Sequence, residues 1–142
     1  MQRKASAVWH GTLKEGKGTI STESGVLRDA QYSFSTRFES GKGTNPEELI
    51  AAAHAGCFTM ALSAQLTNAK LQPESIETTA EVTLDKPDGG PPTVTKIHLK
   101  TRATVPGAGK EAFTAAANEA KTNCPISRLL KAAEITLDAE LV

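Results

Sequence analysis

Polar and apolar positions alternate with a two-residue period in six stretches, three at the start of the chain and three in its second half. Each predicts a strand. The first group is Ala5–His10, Gly18–Thr22 and Tyr32–Phe38, with turns at Gly16-Lys17-Gly18 and Glu23-Ser24-Gly25. Strict alternation in the last puts Tyr32, Phe34, Thr36 and Phe38 on one face and Ser33, Ser35 and Arg37 on the other. Arg37 is then either a surface charge or a residue facing a partner. The second group is Ser75–Leu84, Val94–Thr101 and Ile135–Leu141, with a loop at Asp88-Gly89-Gly90-Pro91-Pro92.

Helical patterns separate the strands. Asn45-Pro46-Glu47-Glu48 is a strong start signal: Asn45 as N-cap, Pro46 in the first helical position, acids in the first turn, Glu48 where a capping-box acid belongs. The run from Leu49 to Ala69 is apolar nearly all round, so burial on every side is expected. Gly56 should interrupt it one residue before Cys57. Further on, Lys110–Thr122 reads as a helix, Asn123-Cys124-Pro125 as a break and Ile126–Ala132 as a short helix. The order predicts an α+β fold with mostly antiparallel sheet, one domain over residues 1–142. A helix buried on all sides needs more cover than one modest sheet supplies. A second copy is the economical source, which predicts a homodimer with this helix at its heart.

Composition narrows the function. Acids and bases balance, 16 against 16, so nothing argues for nucleic acid or an anionic membrane as partner. The first residues lead into no apolar run of signal-peptide length, and no segment approaches the roughly 18 apolar residues of a membrane span. A cytoplasmic, reducing setting is the default. There, two cysteines mean metal, catalysis or plain core more readily than a permanent bridge.

Both cysteines stand in small-residue, apolar contexts: His54-Ala55-Gly56-Cys57-Phe58 and Thr122-Asn123-Cys124-Pro125-Ile126. A thiol attacks peroxide as thiolate, and lowering its pKa by about two units takes roughly 2.7 kcal/mol. A helix N-terminus supplies on the order of 0.3–1 kcal/mol, and a neighbouring arginine could supply the rest. Local dipoles favour Cys124, which Pro125 places at a helix cap. Cys57 gains the same help only if its helix breaks at Ala55-Gly56. On an unbroken helix, Glu47 and Cys57 would stand roughly 15 Å apart along the axis. The acid then acts on this chemistry only if the helix bends back or the site is shared between subunits.

Blander readings stand beside these. Buried cysteines are often inert small hydrophobes. His54, one turn before Cys57, is either its base or a histidine hydrogen-bonded in the core. A zinc site from His54, Cys57 and Cys124 would lack a fourth ligand. Helix-start chemistry alone explains Glu47 and Glu48, and Gly16-Lys17-Gly18 lacks the rest of a phosphate loop.

The segments Gly16–Leu27, Thr36-Arg37-Phe38-Glu39, Gly43–Ile50 through His54–Phe58, Cys124-Pro125-Ile126-Ser127 and Glu134–Asp138 together resemble the OsmC and organic hydroperoxide resistance family, nearly end to end. The resemblance implies a peroxidase that reduces hydroperoxides, organic ones preferentially, to alcohols without haem, flavin or metal. It implies an intertwined homodimer with two sites at the subunit interface. By position, Cys57 would be the attacking thiolate and Cys124 the resolving thiol. Arg37 would hold the thiolate and polarise the peroxide, and Glu47 would hold Arg37. Arg37 matches the osmotically inducible branch of the family. The reductant implied is a dithiol such as a lipoyl group on a lipoylated protein. Apolar neighbours, Leu49, Ile50, Phe58, Met60 and Ile126, would receive an alkyl tail. The rival from another class is a non-enzymatic stress protein that holds an apolar ligand in the dimer cleft, its thiols idle.

Overall fold

Six strands form two three-stranded sheets, one in each of two units. The computed structural model describes residues 1–142, divided into Met1–Leu49 and Ile50–Val142. In the first unit β1 (Ala5–His10), β2 (Lys17–Thr22) and β3 (Ala30–Ser33) pair antiparallel in sequence order. Gly18 faces Trp9 on one side and Tyr32 on the other, and those two rings sit 5.3 Å apart. A Cβ at Gly18 would collide with the Tyr32 ring, so the close approach requires glycine.

The third strand stops earlier than its alternation predicts. Phe34–Phe38 is a short helix, α1, not a strand continuation. Ser33 accepts the N–H of Thr36 through its hydroxyl, and Thr36 Oγ1 accepts the N–H of Ser33. This reciprocal cap turns the chain into a helix. Phe34 and Phe38 are four apart, on one face under either a period of two or one of 3.6. Alternation therefore could not distinguish the two structures. The rings still meet, 4.9 Å apart. Arg37 consequently lies in the last turn of α1 instead of on a strand face.

α2 runs from Pro46 to Asn68 without interruption. Its start follows the expected chemistry: the Asn45 carboxamide oxygen accepts the N–H of Glu48 at 2.8 Å. The expected break at Gly56 does not occur. A lone glycine costs a helix about 1 kcal/mol, too little to interrupt 23 residues.

The second unit holds β4 (Ser75–Asp85), β5 (Thr93–Thr104), α3 (Lys110–Asn123), α4 (Pro125–Leu129) and β6 (Glu134–Leu141). β4 and β5 are antiparallel, while β6 returns through α3 and α4 to pair parallel with β5. β5 is thus the central strand, and its buried Leu99 and Ala103 form the core with Phe113, Ala117 and Ala120 of α3. From α2 come Phe58, Leu62 and Leu66, all fully buried. With His54 they recur every four residues, a single stripe. Each large apolar side chain so buried contributes about 1.5–3 kcal/mol.

The rest of α2 is not covered within one chain. Met60 is 76% exposed, and Ala52, Ala53, Gly56 and Ala64 lie open. By length and composition alone α2 is also long and apolar enough to cross a membrane, a test that the core helix of a soluble protein passes as well. That corrects the expectation that no segment approaches such a span. In the first unit no apolar side chain is fully buried at all.

A Cβ added at Gly56 meets nothing within 4 Å. Gly56→Ala is therefore expected to raise stability by about 0.5–1 kcal/mol in urea unfolding. Destabilisation would mean that the glycine serves a close approach.

Candidate active site

The geometry around Cys124 follows from the proline after it. A residue preceding proline is held out of the α region, and Cys124 is extended, at φ −52° and ψ 128°. α3 must therefore stop. The N–H of Cys124 bonds the carbonyl of Ala120 at the end of α3, and its own carbonyl accepts the N–H of Arg128 in α4. One residue ends one helix and starts the next. Its side chain is fully buried in the core of the second unit.

Cys57 projects from the middle of α2 and is half-buried. Its sulfur lies 2.8 Å from that of Cys124, 67 positions away, and both thiols are free. Little further approach separates this pair from a disulfide at about 2.0 Å. Of the two, Cys57 is the one a small molecule can meet.

Burial raises the Cys57 thiol above its ordinary range, and the contact with the Cys124 thiol adds to this. The backbone amide of Ile126 opposes both by favouring the thiolate. Pro125 has no N–H, so Ile126 carries the first free amide of α4. The first free amide of α4 therefore acts on Cys57. Cys124 itself makes no side-chain cap on the helix.

His54 sits one turn before Cys57 and is fully enclosed. Its Nε2 meets the Ser127 hydroxyl at 2.7 Å, while Nδ1 has no partner. Burial holds the ring below the usual histidine range. The core reading of His54 describes this contact better than the base reading.

Arg37 and Glu47 form the other pair, within the first unit. Arg37 Nε donates to both Glu47 oxygens at 3.2 Å, and Nη2 donates to Oε1 at 2.8 Å. Two side-chain features hold the geometry. The Asn45 amide donates to the carbonyl of Thr36 at 3.1 Å, tying α1 to the start of α2, and the guanidinium carbon lies 5.2 Å from the Phe38 ring centre. With Arg37 38% exposed, the ion pair adds little stability, but it fixes where the guanidinium points. The solvated-strand reading of Arg37 is replaced by a paired residue on a helix.

The four candidate residues thus fall into two pairs. α2 carries one member of each: Glu47 and Cys57, ten positions and roughly 15 Å apart along its axis. The bend that would bring them together is absent. Sequence reasoning missed Ser127, whose pairing with His54 is long-range and leaves no local signal. It also missed the Ile126 amide, although the Cys-Pro step identifies that amide as the first donor of α4.

Among the expected alkyl-tail residues, Phe58 is enclosed in the core and offers no surface. A hollow of about 300 Å³ in the first unit is lined instead by Trp9, Leu13, Tyr32, Phe34 and Phe38, with Arg37 at its side.

Comparison with known proteins gives a consistent picture. The profile of the OsmC-like protein family matches residues 39–140. The chain is 55% identical to Peroxiredoxin OsmC of Escherichia coli K12 over 141 residues, covering 99% of this chain and 97% of that one. It is 31% identical over 121 residues to the organic hydroperoxide resistance protein of Xanthomonas axonopodis pv. citri, covering 83% and 82%. The crystal structure of an organic hydroperoxide resistance protein OsmC from Legionella pneumophila superposes with a TM-score of 0.70 at 25% identity, over 96% of each chain. With a family match over most of its length and a relative this similar along nearly all of it, the chain belongs to the OsmC-like family.

Proposed function

We propose that this protein is a cysteine-based peroxidase that reduces organic hydroperoxides to alcohols, and that Cys57 and Cys124 carry the reaction. The observation behind the reading is the free pair of sulfurs 2.8 Å apart, one half-buried and one enclosed. Relatives named as a peroxiredoxin and as organic hydroperoxide resistance proteins support the substrate class.

The half-exposed Cys57 is the attacking group. Its thiolate takes the distal peroxide oxygen, the O–O bond breaks, and the alkoxide leaves as alcohol once protonated. The resulting sulfenic acid is attacked by Cys124, water departs, and a disulfide remains. A dithiol, in our reading a lipoyl group on a protein, restores both thiols by exchange. A pair that must be reset each turn suits a reducing compartment, which supports a cytoplasmic location.

The attacking thiol still needs a cation. The groups that shift Cys57 are burial, Cys124 and the Ile126 amide, with a net upward effect. A guanidinium held by Glu47 is suited to reverse it, polarise the peroxide and steady the departing alkoxide. We assign that role to Arg37 of a second copy in a homodimer, each chain forming one OsmC-like domain over residues 1–142. Two features support the dimer: the uncovered apolar face of α2 and the lack of any fully buried apolar side chain in Met1–Leu49. The aromatic hollow beside Arg37 is a fitting place for the organic part of the substrate.

Cys57→Ser should abolish peroxide consumption, whereas Cys124→Ser should consume peroxide without forming a disulfide; normal consumption by Cys57→Ser would overturn the assignment. Cumene hydroperoxide should be turned over faster than hydrogen peroxide, and parity would count against an apolar tail site. Separately, Met60→Glu should shift the protein from dimer to monomer by light scattering and lose most peroxidase activity. A dimeric, fully active Met60→Glu protein would show that the α2 face is not the interface.

A further inference from the structure

The peroxidase scheme makes no use of two buried polar side chains in the second unit, and these two face each other. His54 is fully enclosed, Ser127 is 3% exposed, and Nε2 lies 2.7 Å from Oγ. Their positions give the contact its meaning. His54 stands three residues before Cys57 on α2, and Ser127 three residues after Cys124 on α4. About one helical turn separates each from its cysteine. The same two segments are therefore joined twice: by the sulfurs at 2.8 Å and, one turn away, by imidazole and hydroxyl.

α4 needs such a tie. It has five residues, and its one buried side chain is Ser127. Leu129 is 74% exposed and contributes no anchor. Apolar packing is non-directional and would let so short a helix slide, whereas a buried hydrogen bond fixes both distance and angle. Nor is the imidazole placed as a base for Cys57, since its Nε2 is engaged by Ser127 and its Nδ1 meets no polar group.

We infer that His54 and Ser127 form a positioning strut that holds α4, and with it Cys124, against Cys57, so that disulfide closure outruns a second oxidation. The inference rests on the two-cysteine reading above. The sulfenic acid at Cys57 has two fates. In one, the Cys124 sulfur attacks it, the S–S bond forms, the S–O bond breaks, and the hydroxyl leaves as water with the thiol proton. In the other, the sulfenic sulfur attacks a second hydroperoxide, whose O–O bond breaks; the sulfur gains an oxygen as sulfinic acid and the alcohol departs. The first fate depends on the position of Cys124 and the second does not. Neither His54 nor Ser127 touches substrate in this scheme; both act through Cys124.

The test compares wild type with Ser127→Ala, Ser127→Thr and the double variant His54→Leu/Ser127→Ala. The double variant leaves no orphaned polar partner and so guards against simple misfolding. Each reduced protein is treated with increasing cumene hydroperoxide, and intact mass gives the ratio of sulfinic acid to disulfide beside the rate of initial peroxide loss. Ser127→Ala and the double variant are expected to raise that ratio about tenfold, because a small misplacement of a reacting group costs a large factor in rate. Ser127→Thr, which keeps the hydroxyl, should restore the wild-type ratio. An unchanged ratio in the folded double variant would overturn the strut, as would attack and closure slowing together by the same factor. If wild type itself forms neither sulfenic acid nor disulfide, the peroxidase reading falls first and the strut falls with it.

Discussion

Contact between the Cys57 and Cys124 sulfurs requires that the middle of α2 lie against the junction of α3 and α4. Each feature of the second unit bears on that requirement. Pro125 forces the break that turns Cys124 inward while leaving the Ile126 amide free to face Cys57. Phe58, Leu62 and Leu66 seat α2 in the core beside Phe113 and Ala117, one residue away from the reactive sulfur. His54 and Ser127 supply the directional contact between the same two segments. Core and site are therefore one construction, and a change in how α2 seats would be felt first as a change in the distance between the sulfurs.

Electrostatics distributes the work differently. The surroundings of Cys57 in its own unit disfavour the thiolate, because burial outweighs the single amide directed at it. In the first unit the reverse obtains: Arg37 is held by three contacts to one carboxylate and flanked by an aromatic ring, an arrangement with little structural return for an exposed pair. A cation oriented without a structural need, and a thiol that lacks a cation, are complementary. The proposed dimer joins them, and the open apolar face of α2 supplies its driving force.

Much of this was legible along the chain. Six alternating stretches mark five strands, most of their ends within a residue, and the end of β3, and the Asn45-Pro46 start and the Cys124-Pro125 break are local chemistry that the fold preserves. Failures arose where two local rules agree on a residue but not on the structure. Phe34 and Phe38 satisfy both periods, and only the Ser33–Thr36 cap decides between them. Gly56 looked like a break, yet a glycine penalty is spread over a long helix and tolerated. The apolar perimeter of α2 is legible in the sequence, and within one chain only the His54, Phe58, Leu62 and Leu66 stripe is covered. Ser127 and the orientation of the Ile126 amide depend on tertiary contacts that no local pattern encodes.

The proposed chemistry requires Cys57 to be anionic near neutrality, a guanidinium overriding its unfavourable surroundings. Its most direct measurement is titration of the Cys57 thiolate by ultraviolet absorbance in Cys124→Ser protein, with Arg37 intact and with Arg37→Ala. A thiol whose folded pKa is lowered stays ionised down to that value and loses its charge only as the pH falls through it. With Arg37 present the midpoint is expected well below the ordinary thiol value of about 8.5, and above it once Arg37 is removed. A midpoint at or above the ordinary value with Arg37 intact, unmoved by its loss, would contradict the account.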